Sequence, residues 1–280
     1  MLKHQFIRRS CYRIMFYLGI VDFSCVCLNS IAAGYFSIKG TLYCTDPMLT
    51  YVIGCFSVCV IALWATSCAT CLLLAINRCL TAIYPKLSDR VFGGYNTLIL
   101  LLLPTFYFLY FLLFTPPVIF SSMHYAMFFN PFIGISGFEM HVEEPKYASP
   151  LHTINNVADV VLLSCTYAIF CAIMAKAPSS MTTSPKQQTF VQAALICSFN
   201  AFASVIYVIM QFVPTPTVVI VMGQISWQGS HGAPVFIYLF LNKSIRKAVL
   251  KLLGIRKNVT CRIGVRTVTS APLTTVHFVR

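Results

Sequence analysis

The chain has 280 residues, of which 58% are hydrophobic and only 10% charged, with a mean hydropathy of +0.78. A soluble domain carries about a quarter charged residues, so that class is excluded. A net charge of +13 would suggest nucleic acid in a soluble protein, but its placement along this chain gives a membrane reading, and no nucleic-acid partner is expected.

The apolar residues fall into six long stretches: 12–38 (A), 49–76 (B), 95–120 (C), 151–175 (D), 190–213 (E) and 218–241 (F). Each can cross a bilayer core of about 30 Å, which takes about 20 helical residues. Backbone polar groups in lipid must be satisfied within the segment, so helices are predicted. The predicted fold class is therefore all-α, a polytopic membrane helix bundle of six spans over 12–241, with the lipid bilayer as its first partner. Residues 1–11 are too polar for a secretory signal and read as a loop-like cytoplasmic N-terminus; segment A could serve as a signal anchor.

The loops alternate in charge. One side holds Lys3, Arg8, Arg9 and Arg13; Arg78, Lys86 and Arg90; Lys176 and Lys186; and nine more from Lys243 to Arg280, which together make 18 of the 20 basic residues. The other side holds only Lys39 and Lys146. Excess Lys and Arg marks the cytoplasmic face, so both termini are predicted to be cytoplasmic. Glu139, Glu143 and Glu144 then lie in a long outer loop, 121–150. Only Asp22 and Asp159 fall within spans, where a carboxylate is costly unless paired or hydrated and marks a functional candidate. For Asp159, an interfacial position near the outer boundary is the competing reading.

Most of the 13 cysteines lie in apolar helix, where they pack as small hydrophobes. Cys44 lies outside the spans, and the long outer loop has no cysteine to pair with it. No zinc-ligand spacing, P-loop, dinucleotide fingerprint, HExxH or GxSxG is present, so neither an enzyme, a metal nor a cofactor is expected. The run His141-Val142-Glu143-Glu144 reads as a solvated loop. No repeat relates A–C to D–F, as a transporter would often show. Charge, Pro131 and Pro145 argue against a selectivity filter in the outer loop.

Segment A contains Leu18-Gly19-Ile20-Val21-Asp22, and segment B ends in Asn77-Arg78-Cys79 with Pro85 seven residues beyond Arg78. Segment F ends with Pro234 and Tyr238, then Asn242 and a run 243–253 with Ile245, Val249, Leu252 and Leu253 on one side and Lys and Arg on the other. That run predicts an amphipathic membrane-surface helix over 242–254, followed by a cytoplasmic tail, 255–280, expected to be disordered. In this order these motifs resemble helices two to seven of rhodopsin-like receptors. Cys11-Tyr12-Arg13-Ile14-Met15, Cys44-Thr45-Asp46-Pro47, 206–211 and 223–234 narrow the resemblance to nematode serpentine receptors of class T, over about 5–253.

That resemblance implies a chemosensory receptor that binds a small extracellular ligand and couples to a heterotrimeric G protein. It implies ligand contacts at Asn155, Asn156, Asp159, Tyr207, Gln211, Gln224 and Trp227, with an interfacial aromatic belt as the alternative for Tyr207 and Trp227. It implies a polar core of Asp22, Ser67 and Ser230, G-protein coupling at Asn77, Arg78 and Pro85, and an activation end at Pro234, Tyr238 and Asn242. In the wider superfamily this core holds sodium.

The chain departs from the pattern in places. Asn77 replaces the acid before Arg78, Ala233 stands where an asparagine would precede Pro234, and Tyr238 falls one position late. Segment E has no internal proline, and the usual disulfide to the long outer loop is not expected. The counterpart of the family's first helix is expected to be missing. Sequons at Asn242 and Asn258 lie on the inner side and are expected to go unused. Two rival classes stay open: a non-signalling, truncated receptor-like protein that oligomerises with full-length receptors, and a transporter or channel subunit.

Overall fold

A computed structural model of the chain describes residues 9–133, 147, 149–175, 184–213 and 215–254. The remaining residues, including 1–8 of the expected N-terminal loop 1–11, Glu139, Glu143, Glu144 and the 255–280 tail, lie outside the described ones, and the first helix already takes in Ser10 and Cys11. Eight helices follow in order among the described residues: α1 Ser10–Lys39, α2 Pro47–Ile83, α3 Pro85–Phe92, α4 Asn96–Phe114, α5 Pro150–Ala175, α6 Ser184–Phe212, α7 Thr217–Leu241 and α8 Lys243–Leu252.

Local chemistry sets several boundaries. Pro47 and Pro85 each open a helix at its first position, where a missing N–H costs nothing. Gly40 ends α1 in the left-handed conformation (φ 69°), its N–H donating to Phe36 O at 2.9 Å. Asn242 caps α8: its Oδ1 accepts the Ile245 N–H at 3.1 Å. Within α1, a π turn at Cys27–Ile31 interrupts the α ladder and places Asn29 in the interior.

The central rod is α2, with 67% of its apolar window buried, against 39% for α1, 22% for α4 and 28% for α5. It packs against α1, α4, α5 and α6, while α7 closes the bundle between α6 and α1. Trp64, Phe36, Val60, Phe111, Phe120 and Trp227 form one buried cluster. Ile14, Leu18, Leu74, Phe92, Leu163, Ile196 and Ile237 form a second, at the end of α2 that carries Arg78. The lipid-suited side is the outer one, where Phe23, Ile31, Leu103, Phe106, Ile169 and Phe236 are exposed.

The structure is the expected, mostly helical bundle with several apolar rods able to span a membrane, and two findings add detail to it. First, segment C ends as a helix at Phe114, and the chain then forms an antiparallel hairpin, β1 Ile119–Ser121 with β2 Ala126–Phe128, in register Phe120↔Met127. Both strands are buried. Ser57 of α2 anchors the approach: the Val118 N–H donates to its Oγ at 3.0 Å, and its hydroxyl donates back to the Val118 carbonyl. Ser122 donates to Thr41 O at 2.7 Å, tying the hairpin to the end of α1. The turn passes through Tyr125 at φ 53°. The neighbouring His124 is buried against Phe128, and that burial lowers its pKa from the ordinary histidine value.

Second, four rods among the described residues are long and apolar enough to cross a membrane: α1, α2, α4 and Pro150–Phe170 of α5. In α6 the apolar stretch is shorter, Ala194–Met210. In α7 the average is pulled down by Gln224, Gln228, Ser230 and His231 in mid-helix. Gln224, Ser230 and His231 are buried, while Val218, Ile225, Val235 and Phe236 keep the outward side apolar.

The α6–α7 contact is close because Gly223 has no side chain. A Cβ there would lie 2.8 Å from Ile206 Cγ2 and 3.2 Å from Met210 Sδ. Gly223→Ala should therefore destabilise the bundle by about 1–3 kcal/mol through overpacking. Gly229→Ala, whose Cβ would meet nothing within 4 Å, should not. Thermal unfolding of both variants in nanodiscs checks this; equal midpoints would show that α6 and α7 do not pack here.

Candidate functional site

Polar side chains on apolar helices gather in the centre of the bundle, where the alternative to a protein partner is hydrocarbon. Trp64 on α2 organises the end nearest the hairpin. Its indole N–H donates to Asn156 Oδ1 on α5 at 2.8 Å, and its ring lies edge-on to Trp227 and His231 of α7 at 6.2 and 5.7 Å. The same Asn156 oxygen accepts from Asn155 Nδ2 at 3.2 Å, and Asn155 Oδ1 accepts from the Tyr107 hydroxyl of α4 at 3.1 Å.

Ring contacts continue from this cluster to the hairpin. Trp227 meets Tyr207 of α6 at 5.5 Å, Tyr207 meets His152 of α5 at 6.3 Å, and His152 meets Phe129, just beyond β2, at 5.4 Å. Hydrogen bonds cross the same layer. The Tyr207 hydroxyl donates to Gln224 Oε1, and Gln224 Nε2 donates to Asn29 Oδ1, each at 3.0 Å. The π turn of α1 is thereby joined to α7 and α6.

The two intramembrane carboxylates sit in different surroundings. Asp22 of α1, 4% exposed, accepts from His231 Nδ1 at 2.8 Å and from Ser67 Oγ of α2 at 3.2 Å, which binds α1, α2 and α7 together. Cys25 lies beside the same imidazole. Asp159 of α5, 5% exposed, accepts from Ser204 Oγ of α6 at 3.1 Å through Oδ2, with Cys68 alongside, while Oδ1 has no hydrogen-bond partner. Among the described residues, no group of three or more His, Cys, Asp or Glu is placed to hold a metal ion.

At the opposite end, Asn77 is fully buried and donates to Ser10 Oγ at 3.1 Å. Arg78 reaches Met15 Sδ at 3.4 Å, its Nε is buried without a partner, and among the described residues it makes no ion pair with a carboxylate. Tyr238 is close enough to feel the Arg78 charge, and its hydroxyl has no hydrogen-bond partner. Asn242 donates to Gln192 Oε1 of α6 at 3.3 Å. With its amide so engaged and its side chain buried, Asn242 is a poor glycan acceptor.

The family model described as serpentine type 7TM GPCR chemoreceptor Srt matches residues 1–262. The chain belongs to this family. It is also similar to serpentine receptor class T-55 of Caenorhabditis elegans, 26% identical over 248 residues. That alignment covers 87% of this chain, and the chain spans 65% of the length of that relative. No solved structure matches. The family is a receptor class, not an enzyme class.

Within this member of the family, the residues singled out as ligand contacts are brought together unevenly. Asn155, Asn156, Tyr207, Gln224 and Trp227 share one connected network, and Asp159 lies one helical turn beyond Asn156. Trp227, 3% exposed, faces the interior instead of a lipid interface, and Asp159 is buried nine residues, about 14 Å, into α5. Gln211 lies on α6, with its side chain outside the described ones. Ser230 departs from the expected polar core: it is buried, but its hydroxyl donates to Trp227 O at 2.7 Å on its own helix instead of reaching Asp22. Pro85 starts α3, whose Ser88 meets Thr81 at 2.9 Å. Pro234 is buried inside α7.

Sequence reasoning passed over His231 and Asn29. Both had a usable signal: His231 falls four residues after Trp227 and Asn29 seven after Asp22, spacings that share a helix face.

The Asp22–His231 pair gives a direct test. His231→Leu strands a buried carboxylate and should cost about 3–5 kcal/mol, whereas Asp22→Leu combined with His231→Leu should recover most of that loss. Denaturant unfolding in bicelles reads the cycle. Losses that simply add would show that the two side chains are not coupled.

Proposed function

We propose that this chain acts as a chemosensory receptor that binds a small extracellular ligand near the hairpin end and activates a heterotrimeric G protein at the Arg78 end. The observation that carries this reading is the unbroken run of contacts from Phe129 through His152, Tyr207, Trp227, Trp64 and His231 to Asp22. A ligand that repacks Tyr207 or Trp227 alters the seat of His231, and through Asp22 the relation of α7 to α1 and α2. A ligand biases such a bundle only by binding one arrangement better than the other. Family membership supports both partners at the level of the class.

At the other end, Arg78 is the coupling residue. With Asn77 in place of an acid and, among the described residues, a hydrogen bond to Met15 and no ion pair, little restrains its guanidinium from meeting a helix of the G protein. The alternative is that Arg78 merely anchors α2 at the headgroups. Basal guanine-nucleotide exchange on a G protein co-reconstituted in vesicles separates them. Arg78→Ala should abolish exchange, and Arg78→Lys should fall well below wild type because a planar multi-donor group is needed. Equal exchange for wild type and Arg78→Lys would favour the anchor.

The proposed setting is the plasma or ciliary membrane, with both ends of this chain cytoplasmic and the hairpin outside. The basic-residue split supports this: 18 of 20 fall on one side. In this frame α8, with Lys247 and Lys251 on its polar side, lies on the inner membrane surface. Epitope tags at residues 1 and 280 should both stain only after permeabilisation; staining of either on intact cells would overturn the topology.

A further inference from the structure

The two buried carboxylates differ in one respect that bears on ligand chemistry. Asp22 has an imidazole at 2.8 Å able to carry its countercharge and a hydroxyl at 3.2 Å. Asp159 has the Ser204 hydroxyl on Oδ2, the Cys68 thiol beside the carboxylate, no hydrogen-bond partner on Oδ1, and among the described residues no ion pair with Lys, Arg or His. A buried carboxylate without a cation is expensive, by several kcal/mol, and is stabilised strongly by any cation that reaches it. Two donors nearby are also unpartnered and buried: Asn156 Nδ2, one turn from Asp159 on the same face of α5, and Trp227 Nε1. Asn156 is held in place by Trp64, so its free N–H bonds are pre-aimed. The rings of Trp64, Trp227 and Tyr207 bound the same region, and aromatic faces attract cations.

We propose that Asp159 is the anchor for a protonated amine, and that the ligand of this chain is a small amine that also carries a hydrogen-bond acceptor for Asn156 or Trp227. The ammonium takes the free Oδ1, the acceptor takes Asn156 Nδ2 or Trp227 Nε1, and the ligand's apolar body lies against the rings. Asp22 does not compete for the ammonium because His231 already occupies it. The inference rests on the ligand-binding reading above and adds the chemical class.

The test uses a matched pair of probes, para-methoxyphenethylamine and para-methoxyphenethyl alcohol, which share a ring and an ether acceptor and differ in the charged group. Binding to the full chain in lipid nanodiscs is measured by calorimetry without a G protein. The amine should bind about tenfold or more tightly than the alcohol, as expected for a desolvated charge pair. Asp159→Asn should bring the two within about twofold, by removing the charge alone. Asp159→Glu, which keeps it, should restore the preference and shows that loss in the first variant is not loss of fold. Equal binding of the two probes by wild type, binding by neither at millimolar concentration, or a preference that survives Asp159→Asn overturns the proposal. Arg78-dependent nucleotide exchange would persist in each of those cases if the receptor reading is right, so the two failures are distinguishable.

Discussion

Polar groups buried among apolar helices can be satisfied only by one another, and that constraint shapes this bundle. Trp64 is where it acts most strongly. The indole has one donor and two large faces, so fixing its N–H on Asn156 also fixes where Trp227 and His231 can pack. One side chain thus sets the relation of α2 to α5 and to α7. Gln224 plays a similar part between α6 and α1, taking a hydrogen bond from Tyr207 and giving one to Asn29. Single interhelical hydrogen bonds are worth only about 0.6 kcal/mol on average, so these contacts matter more for which helix faces meet than for stability.

Close packing supplies what the hydrogen bonds do not. Small side chains let the backbones approach: Gly223 admits Ile206 and Met210, and Ala62, Ala65 and Ala75 are fully or almost fully buried along α2. The apolar bulk is displaced outward, where Phe, Leu and Ile coat the rods. The bundle therefore keeps its polar side chains inside, set among the two apolar clusters, and differs from a soluble domain in its apolar surface. This arrangement lets α7 hold Gln224, Ser230 and His231 and still present Val218, Ile225 and Phe236 outward.

The two ends of the bundle are built differently. At the hairpin end, Ser57 and Ser122 use backbone partners to press two buried strands onto α2 and the end of α1, so rings from the loop join the helical core. At the Arg78 end, prolines and caps define short helices: Pro85 starts α3 and Asn242 caps α8 while reaching Gln192. The first end is a closed, aromatic layer. The second carries a cation that, among the described residues, makes no ion pair.

Sequence alone determined the class of the protein. Apolar run lengths, the basic-residue split and the ordered motifs around Asp22, Arg78 and Pro234 are local or statistical properties, and they were sufficient for a helical membrane bundle and for the family resemblance. In the structure, Pro47, Gly40 and Pro85 mark helix ends through their own backbone geometry. Tertiary structure decided which polar residues meet. Asp22 and His231 are 209 positions apart, so no periodicity relates them, and Ser230, equally polar and adjacent, turns to its own helix's carbonyl. The hairpin was hidden because Ile119–Ser121 extends an apolar run that a helix would also explain, and only the Ser57 anchor and the cross-strand partners make it extended. The surroundings of the buried Asp159 followed from its neighbours as well: what distinguishes it from Asp22 is that no imidazole among the described residues pairs with it, a fact of packing across helices that the residue's own surroundings in the chain do not contain.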